Sequence, residues 1–128
     1  MARNPNCAVG QYNLATDLLA ERRAPEAIPH LEAAVAVRPD YFNALSDLGA
    51  AYLEVGRVRD ALQTLNRAAQ LRPNDELVHF NVALAFRRLG QFDAAAEHLR
   101  RAIEIDPNYA EARAALRELQ QARGVAPR

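Results

Sequence analysis

The chain has no lysine and no tryptophan, and only one cysteine among its 128 residues. Sixteen arginines therefore carry all the fixed positive charge, and sixteen aspartates plus glutamates balance them to a formal net charge of zero. Without a basic excess, the chain lacks the electrostatic footprint that binding to nucleic acid or to an anionic membrane surface requires. Cys7, being alone, forms no intramolecular disulfide, which suits a reducing compartment. No apolar run reaches the length of a signal-peptide core or a membrane span, so a soluble cytoplasmic protein is expected.

Motifs that carry chemistry are equally sparse. There is no His-x-x-x-His, no cysteine pair, no glycine-rich phosphate loop and no serine nucleophile elbow. Of the three histidines, His30 and His98 stand in matching positions of a repeat, two units apart, and are expected not to share a ligand. His79 is expected to be a packing ring. The reading is of a non-enzyme with no catalytic residue, no metal and no cofactor.

What the chain does have is apolar content and a period. Half of its residues are hydrophobic, enough to bury a continuous core without staples. Pro39, Pro73 and Pro107 stand 34 residues apart, as do Gly56, Gly90 and Gly124, Ala27, Ala61 and Ala95, and Ala34, Ala68 and Ala102. Four columns at one interval mark an internal repeat. Between them the apolar residues keep helical spacing, as in Leu45, Leu48, Tyr52 and Val55, then Ala61, Leu62, Leu65, Ala68 and Ala69. Each unit is thus two helices, the glycine ending the first and the proline stopping the second.

These residues resemble the tetratricopeptide repeat, whose signature runs Trp-x2-Leu-Gly-x2-Tyr, then Ala-x3-Phe, then Ala and Pro. The middle unit matches best, with Leu45, Leu48, Gly49, Tyr52, Ala61, Leu65, Ala68 and Pro73. The third supplies His79, Val82, Ala83, Phe86, Ala95, Leu99, Ala102 and Pro107, and the first Gln11, Leu14, Ala15, Leu18, Ala27, Leu31, Ala34 and Pro39. The resemblance implies an all-α, right-handed helical solenoid of about seven antiparallel helices, a single domain over 1–128. Its units fall at about 8–41, 42–75 and 76–109, with a closing helix at about 110–123 and short flexible tails at 1–6 and 124–128.

Departures from the pattern carry their own expectations. Arg22 sits where Gly56 and Gly90 stand, so it must either adopt a positive φ or make a different turn. Pro25 suits the start of the following helix, but Pro29 removes a backbone bond, and a kinked or frayed start is expected there. Gly10, Asp17 and Glu21 replace the apolar stripe of Ala44, Ala51 and Val55, as expected for an outer helix facing water, although Pro5 also keeps the interval to Pro39. Arg117 and Gln120 similarly suggest that the last helix closes the array. Asn108 with Glu111 reads as its start, and Gly124 with Pro127 as its end.

The resemblance further implies that the first helices of successive units line a concave surface. The lining would be Val9, Tyr12, Thr16 and Leu19; Asn43, Ser46, Ala50, Leu53 and Glu54; Leu77, Phe80, Leu84, Arg87 and Arg88; and then Glu111, Ala114 and Glu118. Tyr12, Leu53, Leu77, Phe80 and Leu84 are large apolar groups that the core does not require, so they are expected to be the binding surface. Asn13, Asp47 and Asn81 would run beside them as a ladder able to hold a ligand's backbone.

One subclass of the family grips the C-terminal carboxylate of heat-shock chaperones with lysines, asparagines and an arginine. Its columns here hold Tyr12, Thr16, Asp47, Leu77 and Asn81, and Asp47 would repel a carboxylate. That clamp is expected to be absent. The expected partner is a protein or peptide segment with apolar anchors, either an amphipathic helix or an extended strand. The competing reading is self-association, in which the groove or the array ends pair with another copy.

Overall fold

The computed structural model describes residues 7–122, which form seven α-helices in chain order. These are α1 (Ala8–Ala20), α2 (Ala24–Val37), α3 (Phe42–Glu54), α4 (Val58–Leu71), α5 (Glu76–Arg88), α6 (Phe92–Ile105) and α7 (Ala110–Ala122). No strand occurs among the described residues. The expected tails, with Pro5, Gly124 and Pro127, lie outside them. Each helix packs on its neighbours in sequence, and α3 also touches α5. The first, third and fifth helices therefore stand side by side, as a 34-residue period requires.

Alanine columns make the close packing possible. Ala27, Ala34, Ala44, Ala61, Ala68, Ala95, Ala102 and Ala112 are fully buried, with Leu31, Leu45 and Leu65 filling the layers between them. One close approach is at Gly49, where a Cβ would lie 2.5 Å from Leu65 Cγ and Cδ2. Leu65 is itself fully buried and cannot swing away, so only glycine lets α3 settle onto α4 at this point. Phe86 packs on both halves of the core and joins them.

The turn within each unit has the same hydrogen bonding in all three. The Arg57 N–H donates to the Tyr52 carbonyl and the Gly56 N–H to the Leu53 carbonyl; Gln91 and Gly90 repeat this with Phe86 and Arg87. In the first unit Arg23 donates to Leu18 and Arg22 to Leu19. This is the paired bond of a helix ended by one left-handed residue. Gly56 has φ 88°, Gly90 78° and Arg22 60°, so of the two routes open to it Arg22 takes the positive φ.

Two helix starts differ from expectation. Of the kinked or frayed start expected for α2, fraying is contradicted, since the helix runs without interruption from Ala24 through Pro29. Pro25 lies in the first turn, where an N–H would lack a partner in any case. At α7 the first-turn bond runs from the Arg113 N–H to the Tyr109 carbonyl, which makes Tyr109 rather than Asn108 the capping residue. Asn108 stays exposed on the loop, its backbone N–H donating to Asp106 Oδ1. Asp75 does cap α5 with its side chain, accepting from the Val78 N–H at 3.0 Å.

Candidate peptide-binding groove

The face expected to line a groove would be built by α1, α3, α5 and α7, each offering one strip of side chains. On α1 Val9 and Asn13 are exposed, while Tyr12, Thr16 and Leu19 are half-buried. On α3 Asn43 and Glu54 are exposed, and Asp47 and Ala50 are half-buried. On α5 Leu77 is 47% exposed, Arg88 is exposed, and Phe80, Leu84 and Arg87 are half-buried. Glu111 and Glu118 of α7 are exposed at the far end, with Ala114 half-buried between them.

Three of the expected lining residues are not available to a ligand. Leu53 is only 4% exposed, because α3 has neighbours on both sides and its last turn closes onto the core. Ser46 and Asn81 are buried as well. The expected amide ladder is therefore not a ladder: Asn81 is enclosed, Asp47 is occupied by a tyrosine, and Asn13 alone of the three is exposed. Leu19, Leu84, Tyr12 and Phe80 each rest partly on the core and show only one side to the groove.

Polar bridges join successive inner helices. Tyr12 Oη donates to Asp47 Oδ2 at 2.9 Å, linking α1 to α3. The Arg88 guanidinium donates to the Leu53 carbonyl, linking α5 back to α3. Arg87 Nη1 lies 3.8 Å from Glu118 Oε1, a loose and exposed ion pair linking α5 to α7. Both arginines thus make contacts within the fold, although the Arg88 partner is a neutral carbonyl that leaves its charge in place. Both of the closer links join residues 35 apart, one column displaced from the repeat.

Burial sets the electrostatics around Tyr12. Desolvation, with the Asp47 carboxylate beside it, pushes the Tyr12 hydroxyl up to about 12. Desolvation also raises Asp47 above the ordinary carboxylate value, and the Tyr12 hydrogen bond only partly offsets it. Tyr41 packs against Tyr12 with ring centroids 5.0 Å apart, and Arg38 covers the Tyr41 ring at 4.3 Å. Phe80 and Tyr109 repeat the aromatic pairing in the third unit at 5.2 Å. An aromatic pair thus braces the first and the third inner helices.

Columns read one at a time miss a contact between columns. His79 of α5, buried as a packing ring was expected to be, meets His98 of α6 with their Nδ1 atoms 3.1 Å apart. The signal was the 19-residue offset between them, which Gln11 and His30 share in the first unit, where they meet at 2.8 Å. Among the described residues no group of three or more His, Cys, Asp or Glu could hold a metal ion. None of the described helices is long and apolar enough to cross a membrane.

An all-helical stack with a ribbed inner face, repeating every 34 residues, is the architecture of a solenoid repeat protein. The models of one family cover it: the tetratricopeptide repeat matches residues 18–82 and again 77–109, and the chain belongs to that family. No curated protein sequence matches the chain. Among solved structures, a crystal structure of MamA superposes with a TM-score of 0.90 at 21% identity, covering 95% of this chain and 71% of that one. YrrB, described as a tetratricopeptide protein with an unusual peptide-binding site, gives 0.81 at 23% identity, over 85% of this chain and 56% of its own. The first tetratricopeptide domain of Spaghetti (RPAP3), bound to the HSP90 peptide SRMEEVD, gives 0.87 at 20% identity, over 94% of this chain and 96% of that one. At these identities the likeness is one of fold.

Proposed function

We propose that the chain is a non-catalytic interaction module that takes a partner's peptide segment along α1, α3 and α5. The observation that carries this reading is Leu77, exposed at 47% on the same helix face as the half-buried Phe80 and Leu84. Those three residues form an apolar strip about two turns long, with Leu77 open and Phe80 and Leu84 partly packed on the core. The Asp47 carboxylate lies in the neighbouring strip, held by Tyr12, so the ligand we favour is anchored by apolar side chains rather than by a terminal carboxylate. YrrB and the Spaghetti domain lend support as peptide binders of the same fold. We place the module in the cytoplasm as an adaptor, where an exposed thiol such as Cys7 stays reduced.

Leu77 makes a cleaner test than Phe80 and Leu84, which also serve the core. Peptides selected from a display library against the wild type should bind Leu77→Glu at least about tenfold more weakly, since a desolvated anchor is worth roughly 1.4 kcal/mol or more. Denaturation curves should show the two proteins equally stable. Selected peptides that bind both proteins alike would place the site elsewhere.

One observation favours self-association as a second reading. Leu14 is 46% exposed, although Leu48 and Val82 in its column are buried at 3% and 2%. Another copy laid on α1 would cover it. Light scattering over a range of concentrations separates the readings: a dimer that dissociates on Leu14→Glu supports assembly, and a monomer throughout leaves the foreign peptide.

A further inference from the structure

The histidine pair lies outside the groove, on the seam between α5 and α6. His79 is buried and His98 half-buried. His79 Nε2 is 2.7 Å from the Pro73 carbonyl oxygen, and a carbonyl only accepts, so His79 carries its proton on Nε2. The His79 Nδ1 then offers a lone pair, and His98 must donate to it through its own Nδ1–H. One carbonyl thus sets the tautomers of both rings.

The contact is head-on. The ring centroids are 5.4 Å apart with the planes 25° from parallel, and this separation exceeds that of the nitrogens by about the width of one imidazole. A metal bonded to both nitrogens at about 2 Å each would need them about 4 Å apart on this line. At 3.1 Å the gap holds a proton and nothing larger. Phe86 covers His98 from the other side, with ring centroids 5.6 Å apart.

We propose that His79 and His98 form an acid-operated latch between α5 and α6, closed while the pair holds at most one extra proton and opened when both imidazoles become cationic. One extra proton keeps a donor facing an acceptor. A second puts two N–H groups and two positive charges face to face 3.1 Å apart between a buried and a half-buried ring. The charged groups acting on His98 are His79 across the seam and Arg101 and Glu97 on its own helix; none from α4 or α7 is among them. Burial first, then the His79 and Arg101 charges, lower its pKa against the smaller opposing pull of Glu97.

The direction of the pH effect follows. A histidine lowered in the folded state takes its proton more readily when unfolded. His98 therefore contributes its full stability above the ordinary imidazole value of 6.5 and loses it as pH falls through its folded value, before the second proton opens the latch. For each proton involved, the unfolding constant rises by up to about tenfold per pH unit. The proposal is independent of the peptide reading, although α5 also carries Phe80 and Leu84, so opening the latch loosens that wall of the groove.

Urea denaturation of the whole chain between about pH 7.5 and about pH 5 tests it, comparing wild type with His98→Asn. The asparagine keeps a donor near the Nδ1 position but does not titrate. Over this range the wild-type unfolding constant should rise about tenfold more than that of the variant, with amide exchange quickening in α5 and α6 before α1 and α2. Equal pH slopes would overturn the latch. Should the variant fail to fold, NMR of the wild-type imidazole nitrogens decides. Protons on His79 Nε2 and His98 Nδ1 at neutral pH support the latch, and two rings titrating independently near the ordinary value contradict it.

Discussion

Leu14 in the first unit and Leu48 in the second occupy the same column, yet the first is 46% exposed and the second 3%. Their own units do not explain the difference, since α1 packs on α2 much as α3 packs on α4. What differs is the helix on the other side. Helix α3 has α2 behind it, whereas no described helix lies behind α1. In a stacked array a column sets the direction a side chain points, and the neighbouring unit decides whether that direction is the core.

Truncation is the largest way to break this comparison. Leu48→Ala should destabilise the chain by about 2–5 kcal/mol, because it leaves a void in a packed layer. Leu14→Ala should change stability by less than about 1 kcal/mol, because half of that side chain already meets water. Chemical denaturation of the two variants checks this, and equal losses would mean that something covers α1 in solution.

The turns offer a smaller effect in the opposite direction. Arg22 holds φ 60° where Gly56 holds 88°, with the same pair of hydrogen bonds around each. Arg22→Gly should stabilise by roughly 0.5–1 kcal/mol, and Gly56→Arg should destabilise by about 1 kcal/mol. A shift in midpoint of the same sign for both would show that the two turns are not equivalent.

Asp47 tests the smallest difference between units, since asparagine stands in its column at Asn13 and Asn81. Its folded carboxyl is raised by burial, so the fold binds that proton more readily than the unfolded chain does. The benefit is therefore present at low pH and is lost as pH rises through the folded value. Asp47→Asn can still accept from Tyr12 and carries no charge. It should stabilise the chain modestly at neutral pH, with the advantage vanishing in acid, as paired denaturation series would show.

The repeat was legible because its columns are punctuated by residues with narrow uses. Gly56 and Gly90 end helices, the prolines separate units, and the alanine columns mark where helices touch. Even the Arg22 turn could be narrowed to two outcomes. The site was less legible, because column reading assigns a direction and not a depth. It put Leu53 in the groove without showing that α3's last turn closes over it. It also placed Asp47 beside Asn81 in one ladder, although Tyr12 from the previous unit takes the carboxylate. The histidine contact was missed for a related reason, since His79 and His98 lie in different columns that face each other across a unit.

The most direct test of the central claim is the structure of the chain with a selected peptide bound. The peptide should run along α1, α3 and α5, with an apolar side chain seated between Leu77 and Leu84. A peptide lying instead against α2, α4 and α6, with Leu77 still open to water, would contradict the account.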